Sequence, residues 1–376
     1  MTAAPTLAQV DALIGRGHLA DARRTLDAVL RLRPQDPGAL DRLDTVAIWQ
    51  QDWPTARAGL MRQVRRHSGA EARYVESHLS LLFGDLPLGW DQFEARLELP
   101  GRPHPQRDFP QPRWQGAPFP GQTLLVTWEQ GFGDTLMFVR YLTRVKALGG
   151  RVLLSAQGPL ADLAATCPGV DGVVPFGDPL PPFDLHVPLL SLPALFRTTL
   201  ATIPAAIPYL DVPDRVPNRA ALAALLAPSQ GRTRVGLVWA GNPTHPRDRK
   251  RSLPPEALAP LAALPGVAWH SFQLEPGTAP PLPGLVALGP LLSTFSDTAY
   301  ALSGMDLVIT VDTALAHLAG ALGIPTLLLV TFLPDWRWLL GREDSPWYPS
   351  LRLCRQPNPG DWDGLLRRLA AELGAP

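Results

Sequence analysis

Apolar residues recur every three or four positions throughout residues 7–96, which is the spacing of amphipathic helices that bury one face. The pattern also repeats with a period near 34 residues, as in stacked helix pairs. In each copy a larger apolar residue follows a small one by four positions: Ala22 with Leu26, Ala56 with Leu60, and Gly89 with Phe93. The small residue lets two helices approach closely, and the larger one fills the same face. The pattern predicts a short all-α repeat domain over residues 1–100.

A proline- and glycine-rich linker is predicted at residues 97–122, and beyond it short apolar runs alternate with helical stretches. Strands are predicted at 123–127, 152–155, 173–175 and 185–186, then at 235–239, 267–273, 307–311 and 326–330. Helices are predicted at 135–147 and 159–166, then at 255–264, 295–303 and 314–322. Apolar strands that alternate with helices indicate the α/β class, with parallel sheets covered on both faces. We therefore predict two Rossmann-like domains, residues 101–214 and 215–376, with a ligand cleft at the carboxyl ends of their strands.

The composition narrows the class of protein. Of the 376 residues 46% are hydrophobic and 18% are charged, as in a globular protein of two or three domains. The formal net charge is zero, so we expect no nucleic-acid partner. The two cysteines, Cys167 and Cys354, lie far apart, which argues against a disulfide framework and a zinc cluster and predicts a cytoplasmic location. We expect no signal peptide and no transmembrane segment, because the apolar runs are far shorter than the roughly 20 residues of a span.

The first candidate site follows the strand predicted at 123–127. Gly131 and Gly133 allow a tight turn and a close approach of the backbone to a ligand, with Gln130 just before them. Asp134 then stands at the start of a helix, facing the predicted cleft. It is a candidate general base, but its spacing alone favours a helix cap.

The second candidate site is the loop after the strand at 235–239, which begins with Gly241 and Asn242. Four cations fall within residues 247–251, and Lys250 is one of only two lysines in the chain. Such a run is either a solvated charge cluster or, above the cleft, a binding site for phosphate.

The third candidate site begins at Asp312 and Thr313, where a buried strand ends and a helix opens. Free N–H groups at a helix start bind phosphate, and the small Ala314 lets phosphate oxygens reach the backbone. His317 lies one turn further on, on the same face as Thr313. The alternatives are an ordinary capping pair and a packed core histidine.

The fourth candidate site contains Trp336 and Trp338, with a third tryptophan close behind at Trp347. Indole rings can stack on a sugar or a base, and they can equally cover an interface between domains. A further run, Asp361-Trp362-Asp363, has the form of a metal-binding Asp-x-Asp, but it opens the last helix and is predicted to be a cap.

The order of these motifs resembles that of the heptosyltransferase-like family 9 glycosyltransferases, which have two Rossmann-like domains (the GT-B fold). The resemblance implies that Asp134 is the catalytic base and that Lys250, with Arg251 beside it, contacts the donor diphosphate. Trp336 and Trp338 are weaker candidates for stacking on the sugar or acceptor. The implied donor-binding residues are Gln130, Gly131, Gly133, Asn242, Lys250, Arg251, Gln273, Asp312, Thr313, Ala314 and His317.

The 34-residue pattern resembles the tetratricopeptide repeat, in a short array. Three runs are similar to those of bacterial tetratricopeptide-repeat glycosyltransferases: Glu-Gln-Gly-x-Gly-Asp at 129–134, Val-Trp-Ala-Gly-Asn-Pro at 238–243 and Asp-Trp-Arg-Trp-Leu-Leu at 335–340. The architecture is also similar to that of the O-linked N-acetylglucosamine transferases, which join the same repeat to a GT-B half.

These resemblances imply a hexosyl- or heptosyltransferase that moves a sugar from a nucleotide diphosphate sugar to an acceptor hydroxyl, on a glycan or a protein. The nucleotide sugar is a substrate, and we expect no cofactor and no metal. The repeats are predicted to dock the acceptor. Two alternatives stay open: a GT-B-fold nucleotide-sugar epimerase, which needs further acid/base groups in the cleft, and a non-catalytic scaffold or nucleotide-binding protein with a degenerate transferase half.

Overall fold

The structure, a computed structural model, describes residues 6–100, 109–244, 248–274, 277 and 279–374. The chain divides into two compact units, Met1–Leu99 and Pro100–Pro376. Residues 101–108 of the predicted linker and 245–247 of the predicted basic loop lie outside the described residues. No helix within the described ranges has the length and hydropathy needed to cross a membrane.

The first unit is all-α. Its helices are α1 (Leu7–Gly15), α2 (Leu19–Leu32), α3 (Pro37–Trp49), α4 (Trp53–Val64), α5 (Gly69–Leu82) and α6 (Leu86–Phe93), followed by a 3₁₀ helix at Glu94–Glu98. Thr6, Asp36 and Asp52 cap α1, α3 and α4 by accepting a backbone N–H, so the polar residues between the apolar runs set the helix starts.

The small residues of the repeat are buried between helices, as their spacing predicts. Ala22 and Ala56 have no exposed surface. A Cβ atom at Gly89 would lie 2.6 Å from Leu81 Cγ, so the backbone of α6 packs directly on α5. Gly59 serves a different purpose, because it makes room for the buried carboxylate of Asp44, which pairs with Arg62.

The second unit contains two parallel sheets. The first has the strand order β3-β2-β1-β4 and the second has the order β10-β9-β8-β5-β6-β7. The strands are β1 (Thr123–Thr127), β2 (Arg151–Ala156), β3 (Gly172–Pro175), β4 (Leu185–Pro188), β5 (Thr233–Val238), β6 (Val267–Ser271), β7 (Val286–Ala287), β8 (Leu307–Val311), β9 (Thr326–Val330) and β10 (Leu351–Arg355). Every strand pair in both sheets is parallel, which confirms the predicted α/β class with parallel sheets.

Helices connect these strands in both halves of the second unit. They are α7 (Phe132–Phe138), α8 (Leu142–Lys146), α9 (Ala161–Ala164), α10 (Leu192–Leu195), α11 (Arg219–Leu226), α12 (Asp248–Arg251), α13 (Phe295–Ser303), α14 (Ala314–Ala321) and α15 (Trp362–Leu373). Asp361 accepts the N–H of Gly364 and caps α15, as predicted for the Asp-Trp-Asp run.

Three predicted helices differ in the structure. The helix predicted at 159–166 is a 3₁₀ turn at Gly158–Leu160 followed by the short α9. The helix predicted at 135–147 begins earlier, at Phe132, and is divided into α7 and α8 by a 3₁₀ turn at Val139–Tyr141. The helix predicted at 255–264 is a 3₁₀ helix, Pro255–Ala263, and contains Pro260. Proline lacks the N–H that an α-helical hydrogen bond requires, which accounts for the change.

Candidate active site

Asp134 is the third residue of α7, just past the carboxyl end of β1. Its Oδ2 accepts the backbone N–H of Gly131 at 2.9 Å, the residue before the helix, so it closes the first turn from inside the helix. Its Oδ1 pairs with the guanidinium of Arg337, from the other half of the unit. The alternative prediction, that Asp134 is the N-cap, is wrong, because Gly131 holds that position and Asp134 makes its capping contact from the third residue of the helix. Each carboxylate oxygen keeps a second lone pair, so both contacts are compatible with accepting a proton.

The corresponding turn of the second sheet is the start of α14, at the carboxyl end of β8. Thr313 precedes the helix in an extended conformation, and its Oγ1 is buried with no partner among the described residues. α14 opens with Ala314, a residue with a small side chain. The anion site predicted at this helix start stays a prediction.

The two helix starts pack directly against each other. A Cβ atom at Gly133 would lie 2.8 Å from Cδ2 of His317 and 3.7 Å from Cα of Ala314. Only a residue without a side chain fits at position 133. The structure therefore brings together two predicted segments. Gly131, Gly133 and Asp134 lie at the edge of the first sheet, and Asp312 and the first turn of α14 lie at the edge of the second.

Arg337 links the carboxylates of this junction and was not singled out from the sequence. Its Nη1 donates to Oδ1 of Asp335 at 2.7 Å, and Nη2 contacts Asp134. Burial acts to lower the pKa of Arg337, but the carboxylates of Asp335, Asp134 and Asp312 outweigh it and raise the pKa, so the guanidinium stays charged. Burial, and after it the charge of Asp335, raises the pKa of Asp312 to about 6.

His317 is buried among aromatic rings. Its Nδ1 lies 2.9 Å from the hydroxyl of Tyr348, and its ring stacks on Trp338 at a centroid distance of 5.3 Å. Burial, followed by the positive charges of Arg337 and Arg140, lowers the pKa of His317 well below 6.5. The imidazole is therefore neutral at neutral pH.

Arg140 is a second buried cation that the sequence analysis did not identify. Nη2 donates to the Tyr209 hydroxyl at 2.8 Å, Nη1 donates to the Trp347 carbonyl, and the guanidinium lies 4.5 Å from the ring centroid of Tyr348. Arg140 comes from the first half and Trp347 from the second, so this network joins the halves beneath the site.

The basic loop is organised by a buried aspartate. Asp248 accepts from Nε of Arg251 at 3.2 Å and from the Ser252 hydroxyl at 2.9 Å. Nη1 of Arg251 donates to the backbone carbonyl of Asp312 at 2.8 Å, which ties the loop to the start of α14. Lys250 is exposed on α12 and makes no contact of this kind with the described residues.

The remaining predicted donor-binding residues hold loops at the edges of the sheets. Gln130 has a φ of +61°, a left-handed conformation that turns the chain after β1. Oε1 of Gln273 accepts the N–H of Ala240 at 3.2 Å, which joins the loops after β6 and β5. Asn242 is exposed, and its Oδ1 accepts from Thr244 in a local turn.

The stacking role predicted for Trp336 and Trp338 is wrong. Trp338 has no exposed surface and lies against His317. Trp336 is 4% exposed, with the Arg337 guanidinium 4.2 Å from its ring centroid and Trp347 packed edge-on. These contacts all lie within the second half of the unit, so they cover the indoles but do not place them at an interface between domains.

Asp312→Asn should remove a pH dependence of stability. In the folded state the pKa of Asp312 is raised from 3.8 to about 6, so its neutral form is favoured. Its contribution to stability is complete below pH 3.8 and is lost as the pH rises through 6. Relative to wild type, the variant should gain on the order of 2 kcal/mol of unfolding free energy between pH 4.5 and pH 7.5. Urea unfolding at both pH values measures this, and an equal difference at both would contradict it.

The junction described above overlaps the matched part of a known family. The model of "Glycosyltransferase family 9 (heptosyltransferase)" matches residues 287–334. This part of the chain is similar to family 9 glycosyltransferases. The matched segment contains β8, α14 and β9, and hence Asp312, Thr313, Ala314 and His317.

Among curated proteins, the chain is 28% identical to Protein FlbA of Caulobacter vibrioides over 332 residues, which is 81% of this chain and 55% of the relative. The chain thus spans about half the length of this relative. Among solved structures, the family 9 glycosyltransferase of Veillonella parvula has a TM-score of 0.46 at 10% identity and covers 64% of this chain and 88% of that one. The ADP-heptose LPS heptosyltransferase II of E. coli has a TM-score of 0.42 at 13% identity, covering 67% and 100%.

Proposed function

We propose that this protein is a glycosyltransferase that moves a hexosyl or heptosyl group from a nucleoside diphosphate sugar to a hydroxyl on a glycan or protein acceptor. The observation that carries the proposal is the meeting of the first turns of α7 and α14, where Gly133 packs against Ala314 and Asp134 pairs with Arg337 from the other half of the unit. The match of residues 287–334 to the family 9 model supports it.

In the proposed reaction, the bond between the anomeric carbon and the β-phosphate oxygen breaks, and a new bond forms from the acceptor oxygen to that carbon. The acceptor proton passes to the carboxylate of Asp134. The charge that develops on the leaving diphosphate is stabilised by the N–H groups at the start of α14, by Arg251 and by Lys250. These groups supply the positive potential without a metal ion or cofactor, so the proposed transfer is metal-independent.

Arg251 and Lys250 differ in how the structure holds them. Arg251 is already fixed by Asp248 and by the carbonyl of Asp312, at the place where the diphosphate would lie. Lys250 precedes Arg251 in the same short helix, but its side chain is exposed and can reach toward a bound phosphate. In this proposal Arg251 is held in position before the ligand binds, whereas the side chain of Lys250 moves to contact the bound phosphate.

The helices of the first unit are proposed to be tetratricopeptide-like repeats that dock the acceptor. The 34-residue period and the close helix packing at Gly89 support this assignment. A cytoplasmic location is part of the same proposal, since Cys167 and Cys354 are both buried and unpaired.

Lys250→Ala is expected to weaken binding of the preferred nucleoside diphosphate by about 1.5–3 kcal/mol, because a charge-assisted hydrogen bond is lost. A thermal-shift panel of nucleoside diphosphates first identifies the preferred base, and calorimetry then gives the affinity of each variant. The matched control is Lys146→Ala, which removes the other lysine of the chain, paired with Asp171 on the first sheet. Equal affinities in both variants would exclude Lys250 from the site. A panel with no response would support the scaffold alternative instead.

A further inference from the structure

Tyr348 packs against α14, with its ring on Gly320 near the end of the helix. It has no exposed surface, and a Cβ atom at Gly320 would lie 2.3 Å from its Cδ1, so its ring rests on the bare backbone of the helix. The Arg140 guanidinium lies 4.5 Å from the ring centroid. The position of the Tyr348 hydroxyl is therefore fixed relative to α14.

The hydroxyl of Tyr348 lies 2.9 Å from Nδ1 of His317. Both groups are neutral, because burial raises the pKa of Tyr348 well above 10 and lowers that of His317 well below 6.5. The Tyr348 hydroxyl also interacts with the hydroxyl of Tyr209, whose own O–H donates to the Leu136 carbonyl at 2.8 Å. The lone pair of a neutral imidazole nitrogen is a stronger acceptor than a phenol oxygen, so we assign the Tyr348 O–H as the donor and Nδ1 as the acceptor. A neutral imidazole has a single proton, which then resides on Nε2.

Nε2 lies on the side of the ring that faces the junction of the two helices. A Cβ atom at Gly133 would be 3.4 Å from it, and it has no hydrogen-bond partner among the described residues. Stacking on Trp338 fixes the plane of the ring. The charged groups that act on this imidazole are Arg337, Arg140, Asp335 and Arg251.

We propose that Tyr348 is a positioning residue that holds His317 as the Nε2–H tautomer, so that His317 presents a neutral hydrogen-bond donor to an oxygen of the bound diphosphate. The identity of the ligand rests on the function proposed above, whereas the tautomer does not. A neutral donor fits a site that already contains three arginines, because it adds a hydrogen bond without a further buried charge.

Tyr348→Phe tests this inference because it removes only the hydroxyl. The matched control is Tyr141→Phe, which removes a buried hydroxyl that is bonded to Thr198 and not to His317. Nitrogen-15 NMR of the histidine rings, with the His317 signals assigned from His317→Gln, should show a protonated Nε2 and a bare Nδ1 in wild type and in Tyr141→Phe. Tyr348→Phe should show a mixture of tautomers. It should also bind the nucleoside diphosphate found in the thermal-shift panel roughly 5- to 20-fold more weakly, while Tyr141→Phe binds it as wild type does.

A protonated Nδ1 in wild type, or an unchanged tautomer in Tyr348→Phe, would overturn the inference. A changed tautomer with unchanged nucleotide affinity would overturn the role toward the ligand. If wild type binds no nucleoside diphosphate, the function proposed above and the ligand role fail together, while the NMR spectra still decide the tautomer.

Discussion

Asp134→Asn is expected to lower turnover by about 100-fold or more while nucleotide affinity stays nearly intact. The asparagine oxygen can still accept the N–H of Gly131, but the amide cannot take the acceptor proton. The variant also weakens the contact with Arg337, which keeps Asp335 as a partner, so we expect a stability loss of no more than about 1–2 kcal/mol. Single-turnover transfer and calorimetric titration of the nucleotide separate the two effects.

The matched control for this prediction is Asp335→Asn. It applies the same change to the other carboxylate bonded to Arg337, and the amide oxygen can still cap the turn at Arg337. If Asp134 is the base, Asp335→Asn should lose far less turnover. Equal losses in the two variants would mean that the pairing with Arg337, and not proton transfer, is what the reaction needs from Asp134.

Gly59→Ala is expected to destabilise the first unit by about 2–4 kcal/mol. The new Cβ atom would lie 1.9 Å from Oδ1 of Asp44, a buried carboxylate that is held against Arg62. Either the ion pair breaks or α4 moves away from α3, and breaking a buried pair is costly. Gly15→Ala is the control, because no atom lies within 4 Å of a Cβ there and the residue ends α1, so its stability should hold or rise.

Adding Asp44→Ala to Gly59→Ala tests the cause, since it removes the clash and should recover part of the loss. Circular dichroism melts measure all three variants.

Gly59→Ala also tests whether the first unit is a separate docking module. Nucleotide binding should survive when that unit melts, and its loss would show that the second unit depends on the first.

The sequence predicted the bounds of helices and strands correctly where these bounds depend on residues close together in the chain. The strands Leu307–Val311 and Thr326–Val330 and the helix Phe295–Ser303 have the bounds that the pattern predicts. Each is a continuous apolar or amphipathic run that ends at a polar or small residue, so its limits are set by its own sequence. The small residues of the 34-residue period were found for the same reason.

The missed features depend on contacts between distant segments. Arg337 and Asp134 are 203 positions apart, and nothing near either residue indicates the other as a partner. Trp338 was misread because its indole follows a strand in the sequence, yet it is covered by His317 from α14. Strand β10, Leu351–Arg355, was missed because it carries arginines at an edge of the sheet and follows a proline-rich aromatic stretch.

The glycines around α7 and α14 differ sharply in their tolerance of substitution, and this matters for anyone who varies the site. Gly133 and Gly320 face His317 and Tyr348 so closely that the protein itself rejects a methyl group. At Gly131 the nearest atom to an added Cβ is Oδ2 of Asp134 at 3.4 Å, an ordinary contact distance, and its φ of −81° suits any residue. A library should therefore keep the first two as glycine. Alanine at 131 is the substitution whose effect reports the approach of a ligand and not a defect in the fold.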